Sequence, residues 1–304
     1  MAELVAVVDL GSTAVRLILA RIVPGVGYRV LAQERVPTRL GGGTPGTLPA
    51  RAIDDTLRAV HRFFARYTGK KRGPRIVAVA TSAVRDATNR ERLLGPLRRL
   101  EGVEVQVLSA RDEARLGVDA ALSRLRFKNG IVADLGGASL QLSRVRRRKI
   151  ASTASVPLGA VRTTHRFLRH DPPRPRELHA IRSEVRCQLE NAVPLAGRGD
   201  VMVALGGTVR TLASMHLRAH PGARKHRHGL RMWQSDITAI RERLEGRSQR
   251  KQRKIAGLKK ERADIILAGA LVIEEVMVAG GYLTLVVCSS GVRDGVLLRE
   301  TRNA

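Results

Sequence analysis

Ile131-Val132-Ala133-Asp134-Leu135-Gly136-Gly137-Ala138-Ser139-Leu140-Gln141-Leu142 is the stretch on which the reading of this chain turns. An apolar run ends in a lone carboxylate, passes through two glycines, a small residue and a hydroxyl, and resumes as an alternating tail. That order predicts two strands joined by a tight turn. Two glycines leave no Cβ between the backbone N–H groups and a ligand, so such a turn can cradle phosphate oxygens. Asp134, ending the first strand, would face the same anion, where a negative charge is useful only beside a cation or an attacking water.

The same order opens the chain. Val7-Val8-Asp9-Leu10-Gly11-Ser12-Thr13-Ala14-Val15-Arg16-Leu17 sets an apolar strand, an aspartate, a glycine turn with hydroxyls and a second strand. Taken singly, either copy reads equally well as an ordinary hairpin with a turn aspartate. Two copies roughly 125 residues apart predict two related lobes, each offering a phosphate-facing hairpin to a cleft between them. The expected boundary falls at 124/125, giving domains 1–124 and 125–304, with a last helix near 293–304 packing back on the first.

With 304 residues, 43% of them hydrophobic and 27% charged, the chain has the composition of a globular protein of about two domains. Its 55 Lys+Arg against 27 Asp+Glu leave +28, an excess that attracts polyanions of any kind. Phe, Trp and Tyr make up only 3%, too few for the stacking platforms of single-strand binders. Nucleic acid is therefore expected to bind only non-specifically, through charge. Neither an export signal nor a membrane span is apparent, because Glu274 and Glu275 interrupt the apolar C-terminal stretch, and a cytoplasmic protein is expected. Cys187 and Cys288 read as small core residues. His216, His220, His226 and His228 read as surface residues, since no thiolate or carboxylate stands at ligand spacing.

Further glycine or hydroxyl turns recur at strand ends. Thr81-Ser82 closes a strand over 75–80 and opens a helix carrying Arg85; Gly206-Gly207-Thr208-Val209-Arg210 follows a strand over 201–205; Ser290-Gly291-Val292-Arg293 follows a strand over 283–288. Arg39 to Gly43 reads as a solvent loop, 144–149 as a solvated basic turn, and 177–195 as an amphipathic helix. Ser109 is a good N-cap, and a helix dipole favours Asp112 and Glu113 in the first turn that follows. Of the residues from 241 to 262, ten are Lys or Arg and three are Glu, which reads as a solvated basic face or a funnel for a long anion.

Assembled, VVDLGSTAVRL, VATSAVRDATN, LSARDEARL, VADLGGASLQL, VPLGAVRTTHRFL, ALGGTVRTLA and SSGVRDGVLL resemble, in order, the motifs of the exopolyphosphatase and guanosine pentaphosphate phosphohydrolase family. The resemblance covers nearly the whole chain and implies a short two-domain form with an α/β fold: two actin-like, ribonuclease H-like domains. It implies hydrolysis of a terminal phosphoanhydride, from inorganic polyphosphate or the 5′ end of guanosine pentaphosphate, with Mg²⁺ or another divalent cation, and inorganic polyphosphate or guanosine penta/tetraphosphate as the bound partner. Glu113 then activates water, overriding its cap-only reading, and Asp134 assists as a catalytic or metal-binding group, with Asp9 a second metal ligand. Substrate contacts fall to Asp9, Gly11, Ser12, Thr13, Arg16, Arg85, Gly136, Gly137, Ser139, Gly207, Thr208, Arg210 and Arg293. A homodimer is left open.

Several positions depart from the family pattern: Ala110 for Gly, Asp112 for Glu, Thr13-Ala14 for Asn-Ser, Ala138 for Gly, and Leu140-Gln141 for Thr-Glu. Losing the second carboxylate at 141 removes a metal or water partner. A polyphosphate- or alarmone-binding regulator with weak turnover is therefore the alternative, and a sugar kinase or ATPase of the same superfamily is another, since fold does not fix reaction.

Overall fold

The computed structural model describes residues 3–44, 46–67, 73–99, 103–190, 192, 201–222 and 226–303. The chain forms two compact units, residues 1–120 with 292–304, and residues 121–291. In chain order the first contains β1 (Glu3–Leu10), β2 (Val15–Val23), β3 (Gly27–Val36), α1 (Ala50–Tyr67), β4 (Arg75–Ala80), α2 (Ser82–Arg85), α3 (Glu91–Arg98), β5 (Val105–Val107) and the start of α4 (Ala110–Arg124). The second contains β6 (Gly130–Leu135), β7 (Leu140–Arg146), β8 (Lys149–Val156), α5 (Ala160–Phe167), α6 (Pro175–Glu190), β9 (Val201–Leu205), α7 (Gly207–Ala219), β10 (Arg231–Trp233), α8 (Gln234–Leu244), α9 (Gln249–Gln252), α10 (Ile266–Gly280) and β11 (Thr284–Val287). The last helix, α11 (Val292–Asn303), belongs to the first unit.

Both sheets are mixed and repeat one plan. The first runs β3-β2-β1-β4-β5, the second β10-β11-β9-β6-β7-β8. In each, three antiparallel strands (β1–β3, β6–β8) meet two parallel ones (β4 and β5, β9 and β11), so the second sheet is the first with β10 added at its edge.

From Leu4 to Leu10 strand β1 is apolar apart from Asp9, because both its faces are covered. Val5 and Val7 pack with Ile18, Leu116, Val296 and Leu297, while Ala6, Val8 and Leu10 pack with Ile53, Phe63, Leu93 and Leu97. The first face is thus closed by α11. In the second unit α10 is buried along almost its whole length. Its two acids are carried inside with partners: Glu275 by Arg186 at 2.7 Å and Arg182 at 3.4 Å, Glu274 by Arg241 at 2.8 Å. A buried carboxylate without such partners would cost several kcal/mol, on the order of 3–5.

Four expectations are corrected. Leu40–Gly42 is a 3-10 turn with Leu40 buried, folded onto the first hairpin through Gly41 N–H to Ser12 O at 2.8 Å. Arg144 belongs to β7 and is buried, its Nη1 3.4 Å from the Tyr282 hydroxyl, so the turn proper begins after it. Cys187 is exposed on α6, and only Cys288 is a core residue. In the 241–262 run Arg241 and Arg262 are buried. Helix α6 closes at Glu190, and the expected continuation over 193–195 lies outside the described residues. Among the described residues no helix is long and apolar enough to cross a membrane.

Candidate active site

In the first unit the carboxyl ends of the parallel strands lie side by side, with Leu10 opposite Ala80 and Ala80 opposite Val107. Open α/β sheets bind ligands at this edge. Three sequence-predicted groups start from it. The turn Gly11–Ala14 is closed by Gly11 N–H to Ala14 O at 3.3 Å, with Ser12 buried and Thr13 O accepting from Arg39 N–H at 3.3 Å. Pairing of β1 with β2 sets Asp9 opposite Arg16, whose Nη1 lies 3.3 Å from Asp9 Oδ2. From α11, Arg293 Nε approaches the same oxygen at 3.8 Å. Burial makes Arg293 less basic than an ordinary guanidinium, as does Arg16 beside it, with Asp9 opposing both.

The second group is Arg85, which follows the strand-end hydroxyls of Thr81 and Ser82, and the third is Glu113 in the first turn of α4. Arg85 Nη1 donates to Glu113 Oε2 and to Leu108 O, each at 2.9 Å. Glu113 is buried, 8% exposed. Its neighbour Asp112 serves the cap instead: Ser109 Oγ accepts Asp112 N–H at 3.1 Å and donates to Asp112 Oδ2 at 2.6 Å. The two acids are thus placed differently, Asp112 in the exposed cap and Glu113 buried against Arg85.

In the second unit the turn Gly136–Ser139 is closed by Gly136 N–H to Ser139 O at 3.0 Å. Its carbonyls turn to the start of α5: Ala160 N–H donates to Gly136 O at 3.0 Å, and Val161 and Arg162 N–H to Gly137 O at 2.8 and 3.1 Å. Gly159 lets that helix approach, since a Cβ there would overlap backbone of Gly137, Ala138 and Ser139. The Pro-Leu-Gly-Ala motif is thus the clamp behind the turn. Gly206, at φ +103°, sits where a Cβ would strike Leu135 O and come 3.3 Å from Asp134 Oδ1, so the second glycine turn is packed against the first. Thr208 is fully buried, and Arg210 Nη1 donates to Ser289 O at 2.9 Å.

Sequence reasoning missed Arg262. It is buried, donates from Nη2 to Thr208 Oγ1 at 3.2 Å, and places its Nη1 where a side chain on Gly207 would stand, 2.5 Å from the Cβ position. Gln141 is held too, its Nε2 donating to Ser139 Oγ at 2.8 Å. Within this unit the structure brings together Asp134, Gly136, Gly137, Ser139, Gly207, Thr208 and Arg262, with Arg210 turned to the Ser289 carbonyl.

A divalent cation fits these residues unevenly. Two guanidinium groups already stand on one oxygen of Asp9, an arrangement suited to anion-facing arginines and unfavourable to a metal. Asp134, with a neutral Gln141 opposite it in register, fits an ion held mostly by substrate phosphates and water, which is how Mg²⁺ is commonly bound. Among the described residues no group of three or more His, Cys, Asp or Glu is arranged to hold a metal alone.

Two mixed sheets of one plan, each with a glycine-turn hairpin beside its parallel strands, define an α/β protein of two like-built units. The chain belongs to the Ppx/GppA phosphatase family, whose model matches residues 18–304. It is 31% identical over 301 residues to Exopolyphosphatase 1 of Mycobacterium leprae, covering 97% of this chain and 88% of that one. It is 30% identical over 318 residues to Exopolyphosphatase 2 of Mycobacterium tuberculosis, covering 97% of each. The crystal structure of the Aquifex aeolicus Ppx/GppA family member matches it with a TM-score of 0.82 at 27% identity, over 100% of this chain and 99% of that one. An exopolyphosphatase from Cytophaga hutchinsonii shares the fold, with a TM-score of 0.86 at 22% identity over 99% of each chain.

Proposed function

We propose that this protein is an exopolyphosphatase that releases terminal phosphate from inorganic polyphosphate by Glu113-activated attack of water. The observation that carries the reading is the buried Glu113 carboxylate, held by Arg85 at the sheet edge from which the Gly11 turn also starts. Relatives named exopolyphosphatases, alignable along 97% of the chain, support it.

Phosphoryl transfer needs an in-line water and charge neutralisation more than covalent chemistry. Glu113 accepts the water's proton, and Arg85 fixes the carboxylate's orientation while adding positive charge beside the reacting phosphoryl group. In the first unit the N–H groups of the Gly11–Ala14 turn, with Arg16 and Arg293, receive phosphate oxygens; in the second the Gly136 turn and Arg262 offer groups of the same kind. In the second unit, Mg²⁺ held at Asp134 would neutralise phosphate oxygens taken up by the Gly136 turn. The net charge of +28 draws a long anion toward the protein. Guanosine pentaphosphate carries the same terminal anhydride and is the second substrate to offer.

Gln141 favours a second reading, a regulator that binds polyphosphate or a guanine alarmone and turns it over slowly. A carboxamide committed to Ser139 supplies no charge to a cation or a water.

The test is phosphate release with Mg²⁺ from long-chain polyphosphate and from guanosine pentaphosphate, for the wild type and for Glu113→Gln. Removing a general base should lower kcat by roughly 10²–10⁴-fold, with polyphosphate affinity nearly unchanged. Wild-type turnover by Glu113→Gln would overturn the mechanism. Tight binding of either anion by the wild type without phosphate release would leave the regulator.

A further inference from the structure

A cavity in the second unit has no part in the function proposed. It lies wholly within the second unit, has a volume of about 680 Å³, and is floored by Val201, Val203 and Val286 on one face of the sheet. That volume lies in the range of small-molecule sites, which are mostly apolar with a few placed polar groups.

Its walls are aromatic. The rings of His216, on α7, and His220, its C-cap, stand 4.5 Å apart. Trp233, the chain's only tryptophan, lines the cavity from β10 and is 56% exposed, a large apolar surface left open to water. Alternation along β10 buries Met232 and sends Arg231 to the side of Trp233, and Arg231 and Arg126 both line the cavity with exposed side chains. Neither guanidinium has an ion-pair partner among the described residues. Asp236 contributes one carboxylate. Its Oδ2 accepts Trp233 N–H at 2.8 Å, while Oδ1 is 3.7 Å from His216 Nδ1, too far for a hydrogen bond, and can accept from a ligand.

We propose that this cavity is a nucleotide-binding site, in which a base stacks on Trp233 and the His216–His220 pair, offers an N–H edge to Asp236, and directs its phosphate to Arg231 and Arg126. Flat rings with an anionic tail and N–H donors are the chemistry that an indole, an imidazole pair, one carboxylate and two guanidinium groups select together. Occupancy does not depend on turnover at Glu113.

Because Trp233 is the only indole, its fluorescence reports this cavity alone. AMP, GMP and UMP are titrated into the full-length protein, with inorganic phosphate and pyrophosphate as controls. Saturable quenching by a purine mononucleotide and none by phosphate is expected. Arg231→Ser and His220→Ala, both at exposed positions, should each weaken it roughly tenfold. Glu113→Gln should titrate like the wild type. Absence of quenching by any nucleotide at millimolar concentration, equal quenching by phosphate alone, or unchanged affinity in both variants would overturn the proposal.

Discussion

Replacing Gly159 by alanine separates the clamp behind the central turn from the turn itself. Gly159 has φ −64°, which any residue adopts, so the substitution carries no conformational penalty and acts only through space. The added methyl would lie closer than 3.0 Å to Gly137 O, Ala138 C and Ser139 N, all of them backbone. No side chain can rotate away. Either α5 or the turn must retreat by ~1 Å, which costs roughly 1–3 kcal/mol as overpacking. The three hydrogen bonds from Ala160, Val161 and Arg162 then lengthen from 3.0, 2.8 and 3.1 Å. Displacement of substrate-positioning groups by about 1 Å lowers kcat/KM on the order of 10²-fold. Thermal melting and phosphate-release kinetics on one preparation measure both effects. Gly42→Ala is the control, since its methyl meets only Arg39 Cβ, at an ordinary 3.6 Å. A Gly159→Ala protein with kcat/KM within twofold of wild type and an unchanged Tm would refute the reasoning.

Two further outcomes are expected. Arg262→Met keeps the volume and removes the guanidinium from Thr208 and the Gly207 turn, so KM for polyphosphate should rise about tenfold or more with the melting temperature nearly kept, as measured by initial rates and calorimetry. Glu177 is held at about 2: burial pushes its carboxyl up, but hydrogen bonds from His170 and from the Arg174 and Arg169 amides pull it down further. The group thus binds its proton more weakly folded than unfolded, and its contribution is complete above an ordinary 4.5 and disappears as pH falls toward 2. Urea denaturation should show Glu177→Gln less stable by roughly 1–3 kcal/mol at pH 7 and level with wild type near pH 2; a difference that stays constant with pH would sink the account.

The hairpins were legible because everything that makes them lies within a dozen consecutive residues. Strand alternation, a glycine turn and a terminal carboxylate are local properties, and their repetition exposed the common plan of the two sheets. Glu113 needed the ordered motifs, since a helix dipole explains an acid in the first turn equally well. What escaped is long-range. Arg262, Arg241 and Arg144 sit in basic runs whose local composition reads as solvated, while Thr208, Glu274 and Tyr282, the groups that receive them, lie 54, 33 and 138 residues away. Nothing local marks Gly159, because the backbone it must clear is that of Gly137–Ser139. Cys187 stands between Arg186 and Gln188, and its place on α6 turns it outward. The three-residue β10 is too short to leave a period in the sequence.

Helix α11 crosses back, after the whole second unit, to seal the face formed by Val5, Val7 and Ile18 and to deliver Arg293 to Asp9. During synthesis β1 and β2 therefore emerge long before α11, and the part of their apolar face that Val296 and Leu297 cover waits for it, while Leu116 of α4 arrives earlier. The second unit, whose parts are contiguous, can complete itself first. Completion of the first unit thus waits on a segment beyond the second, and Val296 and Leu297 are the positions where a polar replacement would stall maturation of a site nearly three hundred residues upstream.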